Sequence, residues 1–502
     1  MNRTRRAVGG ILILFLSNIW TWALSLLDIS IVPRYIGVVN FGKLSLAGSI
    51  LSIAGLVVSF GGGTQMVRMI SSKENSAPRI FSVIIAFRFA LGLPIILAVC
   101  IGLFSLTTDK VILSVVVLNA FGMFLGWIGE ALMAYRQALS EYTAMARANM
   151  SGKLVGVLTR IVLVMHGGGP VGAVIGDLIG SCAGISAAIW SRKNPIRLVR
   201  VTRDDFREIL REGWPYFRYS LSIWVYGAPT TIYIICAFST YTANGWYSVA
   251  QRLLGLFYLF PGIFMGVMLP MLIRVYERSH GEFKELTRRA LNPALVMCLP
   301  FMLILTLGAD GLIRALGLRH IHSSADFGPV AILLQIAGVN LLIRWASSYY
   351  GMLLIASNRV AEQARTAMIA APFNIVTTIA LVIWTERVYH NGAIGACVAG
   401  ELTEILVVGC YLHSLRGVAP IRENIKAVTR GLMAAVVPAL MLLYIPTPNR
   451  WAYIAVAGLS VIAFIPAALL VGAIRKDEYE NIIYAIKSKS QKPDDPIAPV
   501  ML

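Results

Sequence analysis

The chain has 502 residues, 57% of them hydrophobic and only 14% charged, and its mean hydropathy is +0.72. Soluble domains are nearer half apolar and one quarter charged, so a soluble globular fold is excluded. The 44 Lys and Arg against 25 Asp and Glu leave a net charge of +19, which a soluble nucleic-acid binder also carries, but not together with this much apolar sequence. What remains is a polytopic membrane protein.

A helix needs about 20 mostly apolar residues to cross the hydrocarbon of a bilayer. Runs of that kind fall at 8–30, 44–67, 80–106, 111–134, 150–165, 170–190, 215–238, 247–272, 290–308, 330–356, 367–385, 392–412, 431–445 and 451–474. The expected fold is therefore all-α, with about fourteen transmembrane helices. Open sheet would leave edge N–H and C=O groups unpaired in lipid. The first run follows Arg3, Arg5 and Arg6 like a secretory signal, but it is too long and no small-residue cleavage site follows, so it reads as a retained span. The runs consume nearly the whole chain, leaving no room for a soluble catalytic domain. The six cysteines lie inside spans without metal-ligand spacing, so no metal and no cofactor is expected.

With the N-terminus placed in the cytoplasm, 31 of the 44 Lys and Arg fall in cytoplasmic segments and 7 in the opposite loops. This bias obeys the positive-inside rule and predicts that both termini are cytoplasmic. Most of the net charge then reports orientation and contact with anionic membrane lipids, and no nucleic-acid partner is expected.

The longest polar cytoplasmic stretch, 191–213, separates two similar halves. Ile19-Trp20 followed by Asn40-Phe41-Gly42-Lys43-Leu44-Ser45-Leu46-Ala47 is echoed by Ile223-Trp224 followed by Ala243-Asn244-Gly245-Trp246-Tyr247-Ser248-Val249-Ala250. Val174-Ile175-Gly176-Asp177-Leu178 is echoed by Val398-Ala399-Gly400-Glu401-Leu402. The predicted organisation is a six-helix lobe over 1–190, a cytoplasmic linker over 191–213, a second six-helix lobe over 214–414, two further helices over 415–474 and a cytoplasmic tail over 475–502. Two lobes in the same orientation suit a transporter that rocks about a central cavity.

Three segments carry a family resemblance: Val32-Pro33-Arg34-Tyr35-Ile36-Gly37 with Phe41-Gly42-Lys43-Leu44-Ser45-Leu46-Ala47, then Gly245 to Leu253, then Leu269-Pro270 with the basic exit Ile273-Arg274-Val275-Tyr276. The chain resembles the polysaccharide exporter branch of the multidrug/oligosaccharidyl-lipid/polysaccharide superfamily, which includes O-antigen and related lipid-linked oligosaccharide flippases. That resemblance implies a transporter and not an enzyme. Its cargo would be an undecaprenyl-pyrophosphate-linked glycan, moved from the cytoplasmic to the outer leaflet of a bacterial plasma membrane. Polysaccharide polymerase and other assembly proteins are implied partners. The motifs are turns, so they mark the fold rather than the cargo, and no catalytic residue is carried over.

Site candidates come from the ionisable groups at membrane depth, which are costly and normally face a cavity. Arg344 lies near the middle of its span, where a guanidinium suits a pyrophosphate or pairs with an acidic neighbour. Arg88 and Arg252 lie about 10 Å from a span end, within snorkelling reach, and Arg218 is shallower still. Asp177 and Glu401 hold matching repeat positions and either carry a proton or pair with a buried arginine; Asp28 and Glu130 are further ion-coupling or gating candidates. Lys153 and Arg160 read as interface anchors. Two rival functions stay open: a multidrug or small-solute exporter of the same superfamily, favoured by an acidic cavity, and a membrane glycan polymerase or ligase, for which the outer loop with His320, His322 and Asp326 is short.

Overall fold

The structure, a computed structural model, describes the chain except for residues 1, 61, 73–75, 140, 191–195, 226, 320–325 and 474–502. The predicted tail, the first residues of the predicted linker and the His320 and His322 pair lie outside the described residues. Among the described residues every regular element is helical.

The chain falls into two compact units. The first runs to Val249 and takes in Asp326; the second runs from Ala250 to Arg319 and continues from Phe327. The first unit is built from α1 (Asn2–Ile36), α2 (Val38–Ser59), α3 (Gly62–Ser72), α4 (Ala77–Leu106), α5 (Lys110–Ala138), α6 (Tyr142–Leu163), α7 (Gly169–Ile189), α8 (Arg203–Val225) and α9 (Ala228–Phe238). Helix α10 (Tyr241–Phe257) runs across the boundary. The second unit continues with α11 (Leu259–Arg278), α12 (His280–Val296), α13 (Leu299–Thr306), α14 (Ala309–Ala315), α15 (Val330–Ala356), α16 (Val360–Tyr389), α17 (Gly392–Ser414), α18 (Ile421–Ala434), α19 (Val436–Tyr444) and α20 (Arg450–Leu470).

Ten stretches of the described residues are long and apolar enough to cross a membrane, against the fourteen runs expected. One of the ten, Tyr142–Ile189, is a hairpin: α6 turns into α7 at Gly167 (φ +85°) and Gly169 (φ +52°), a left-handed backbone that glycine adopts without strain. Other expected runs are interrupted. The run at 44–67 stops where Phe60 enters the left-handed region and resumes as the short α3. The run at 215–238 divides before α9, whose first turn carries Pro229.

The α6–α7 hairpin is closed by glycine. A Cβ on Gly176 would stand 2.4 Å from Arg160 Cα, and one on Gly180 would stand 2.6 Å from Gly156 Cα, so any side chain there pushes the helices apart. The α16–α17 hairpin closes in the same manner, with a Cβ on Gly395 falling 2.2 Å from the Leu381 carbonyl oxygen.

The two copies of the repeated turn meet within the first unit. A Cβ on Gly42 would fall 1.9 Å from the Tyr241 carbonyl oxygen, and one on Gly245 would fall 2.2 Å from that of Val38. Asn244 Nδ2 donates to the Gly42 carbonyl at 2.8 Å, and Ser248 Oγ donates to Ser45 Oγ at 2.6 Å. The segments recognised as repeats thus pack against each other through equivalent residues, glycine opposite glycine and serine opposite serine. At the edge of this crossing Lys43 Nζ lies 2.5 Å from Asp109 Oδ2. Asp109 also caps α5 by accepting from the Val111 and Ile112 amides.

Candidate functional site

Three clusters gather most of the candidate charges. The first lies where α2 breaks. Arg88 on α4 is buried, donates to the Trp127 carbonyl, and places Nη2 3.1 Å from Glu130 Oε2. Glu130 on α5 also accepts from the Gly63 amide at 2.9 Å and from Ser59 Oγ at 3.2 Å. One carboxylate therefore ties the end of α2, the start of α3 and the α4 guanidinium together. It sits at the N-terminus of α3, where the helix dipole favours negative charge.

The second cluster joins Asp28 on α1, Arg160 on α6 and Asp177 on α7. Arg160 is 5% exposed. Its Nε lies 3.4 Å from Asp28 Oδ1, and its Nη1 lies 3.1 Å from Asp177 Oδ2. Both aspartates share one guanidinium, that of the residue which sequence alone places at the interface. The Asp28 side chain is buried, whereas that of Asp177 is 56% exposed.

The third cluster is in the second unit. Arg344 lies fourteen residues into α15, about 21 Å along the helix axis. Its guanidinium sits over the Tyr258 ring, 4.8 Å from the centroid, and its Nη1 lies 3.5 Å from Glu404 Oε1 on α17. Glu404 is buried, yet the Arg344 side chain is 46% exposed. An arginine exposed at mid-helix depth would cost several kcal/mol against acyl chains. Glu401, one turn before Glu404, keeps a buried Oε1 without a hydrogen-bond partner. Arg252 is half-buried on α10, and Arg218 is exposed on α8. Among the described residues no group of three or more His, Cys, Asp and Glu is arranged to hold a metal ion.

A sequence profile of a family described as polysaccharide biosynthesis protein matches residues 31–320, more than half of the chain. The chain belongs to the polysaccharide biosynthesis protein family. No curated protein matches it in sequence. Among solved structures, the lipid II flippase MurJ in an inward closed conformation is similar over 94% of this chain and 100% of its own, with TM-score 0.72 and 16% identity. An inward-facing multidrug resistance MATE family transporter of the MOP superfamily is similar over 79% of this chain and 94% of its own, with TM-score 0.65 and 15% identity. The MATE multidrug transporter DinF-BH in complex with R6G follows at TM-score 0.54 and 15% identity, over 82% of this chain and 94% of its own. These likenesses establish the fold of the MOP superfamily transporters.

Two residues of this polysaccharide biosynthesis protein escape sequence reasoning. Arg160 belongs to a short, weakly apolar run, so it reads as an end-of-span anchor. The signal that marks it is Gly176, which lets α7 approach Arg160 closely enough for Asp177 to reach it. Tyr258 is one aromatic among many in the apolar runs at 215–238 and 247–272, and only the fold puts Arg344 on its ring.

Proposed function

We propose that this member of the polysaccharide biosynthesis protein family is a secondary transporter that flips a lipid-linked oligosaccharide, of the undecaprenyl-pyrophosphate type, from the cytoplasmic to the outer leaflet of a bacterial plasma membrane. Both termini face the cytoplasm in this reading, and the product passes to the polymerase and other assembly proteins. The observation that carries it is Arg344: a guanidinium at membrane depth, half exposed, and steadied by the Tyr258 ring and the Glu404 carboxylate. At 3.5 Å the contact with Glu404 is looser than a hydrogen-bonded ion pair. A pyrophosphate oxygen at hydrogen-bond distance is thus a better partner than the carboxylate. The lipid tail remains in the bilayer, and only the polar head needs the protein.

Replacing Arg344 by Ala and by Lys in cells, at matched protein abundance, tests the reading. Arg344→Ala abolishes surface polysaccharide and accumulates precursor on the inner leaflet, while Arg344→Lys keeps part of the activity because a point charge replaces a fork. Unchanged surface polysaccharide in Arg344→Ala removes the proposed role. A second reading, export of a cationic solute, draws on Glu401 and Glu404 beside a single arginine. It requires Glu404→Gln to abolish drug efflux while leaving surface polysaccharide intact.

A further inference from the structure

A cleft of about 420 Å³ opens inside the first unit between α5, α6 and α7, within the about 300–1,000 Å³ range of small-ligand sites. Asn149, Lys153 and Arg160 line it from α6, and Asp177 and Ser181 from α7, with the glycines of the hairpin seam between them. No aromatic ring lines it. Asn149, Lys153 and Arg160 recur at four- and seven-residue spacing, so they share one face of α6 over about 16 Å.

The charges of this cleft balance: Lys153 and Arg160 against Asp28 and Asp177. Neither an anion nor a cation gains net attraction there, whereas a neutral group that both donates and accepts hydrogen bonds finds partners of each kind. Arg160 adds a specific demand. It is 95% buried, taken as the complement of its 5% exposure, and its Nη2 has no hydrogen-bond partner. A buried donor left unsatisfied is destabilising, and a small turn of the guanidinium toward the cleft that it lines would let a ligand oxygen satisfy it. The glycines leave the room: a Cβ on Gly126, which lines the cleft from α5, would meet nothing within 4 Å.

We propose that this cleft is a subsite for neutral sugar hydroxyls of the transported head, read by hydrogen bonds from Lys153, Arg160, Asn149 and Asp177 without aromatic stacking. The subsite rests on the function proposed above and is separate from the arginine that would hold the pyrophosphate.

The test compares two probes on the full chain in lipid nanodiscs: undecaprenyl pyrophosphate, and the same lipid carrying one N-acetylglucosamine. The wild type binds the sugar-bearing probe about five-fold more tightly, the worth of one hydrogen bond near 1 kcal/mol. Gly126→Leu sets its Cβ in open space on the cleft wall, and Lys153→Met removes the ammonium donor that lines it. Each brings the two affinities within two-fold of one another while leaving that of bare undecaprenyl pyrophosphate unchanged. A retained five-fold preference in Gly126→Leu overturns the subsite. Equal loss for both probes in Lys153→Met also overturns it, by assigning the cleft to phosphate. If the wild type binds neither probe, the flippase reading fails and takes the subsite with it. If Gly126→Leu does not fold, Asn149→Ala, which removes one of the proposed contacts, replaces it with the same outcomes.

Discussion

Two hairpins, α6–α7 in the first unit and α16–α17 in the second, come from corresponding parts of the internal repeat and are closed by the same device, a glycine pressed on its partner helix. Their polar contents differ. The first holds a buried ion cluster, with Arg160 between Asp28 and Asp177. The second has no ion pair between its helices in these contacts: Asn374 Nδ2 donates to Thr403 Oγ1 at 2.9 Å, Thr385 Oγ1 accepts from the Gly395 amide at 3.1 Å, and at the turn the Glu386 carboxylate accepts from the Gly392 amide at 2.8 Å. Asp177 and Glu401 match in sequence, yet Asp177 meets a guanidinium while Glu401 keeps a buried oxygen without a hydrogen-bond partner. Backbone packing sets how closely two helices approach. What fills the interface is a separate matter, and here the repeat keeps the first and changes the second.

The comparison breaks most sharply at Arg160. Arg160→Met leaves the buried Asp28 without its counter-charge, a loss of about 3 kcal/mol, reduced on the Asp177 side because that carboxylate is largely solvated. Thermal unfolding in detergent measures it, and Asp28→Asn added to Arg160→Met recovers most of the loss. Recovery is the informative result, because a cavity effect would persist in the double variant. Gly176→Ala and Gly395→Ala come next. Each inserts a methyl where backbone stands within 2.4 Å or 2.2 Å and costs about 2 kcal/mol by overpacking. Similar losses in the two hairpins support a shared closing device; a loss in one alone refutes it. Thr403→Val is milder, about 1 kcal/mol, since it removes one neutral hydrogen bond between the helices together with the hydroxyl's bond to the Ala399 carbonyl of its own helix. A loss as large as that of Arg160→Met would show that the two hairpins do not differ in the way their contacts indicate.

Much of the fold is legible in the sequence because membrane depth leaves little choice: apolar runs of spanning length become helices, and the positions of the intramembrane charges follow from counting. The repeated turn is legible too, because Gly42 and Gly245 stand in matched surroundings. That the two copies would touch is not, since equivalence in sequence says nothing of proximity. Helix breaks at Phe60 and before Pro229 are hidden because each run, taken whole, still reaches spanning length. At the site, Arg88 and Glu130 both stand out as charges inside apolar runs, but the bond between Glu130 and the Gly63 amide depends on the break at Phe60. Arg160 and Tyr258 are hidden for a related reason: each acquires its partner from another helix, which the local sequence does not show.

The same contrast of charged and neutral recurs at the repeated turn, where Lys43 in the first copy matches Trp246 in the second. Lys43 pairs with Asp109 at 2.5 Å, while Trp246 Nε1 donates to the Asp326 carbonyl at 3.1 Å. Only the first contact titrates. The Lys43 ammonium, helped by the Ile112 and Val111 amides, holds the Asp109 carboxyl below the usual carboxylate range. A carboxylate depressed in the folded state stabilises the fold above its unfolded value near 3.9, and that contribution disappears as the pH falls through the lower folded value. Between pH 6 and pH 3 the wild type therefore loses under about 1 kcal/mol more than Asp109→Asn, which lacks the titrating group. Trp246→Phe removes the neutral contact and leaves this acid-dependent difference unchanged. If Trp246→Phe removed it instead, the acid sensitivity would belong to the second copy, and the division into a charged first copy and a neutral second copy would fail at this turn.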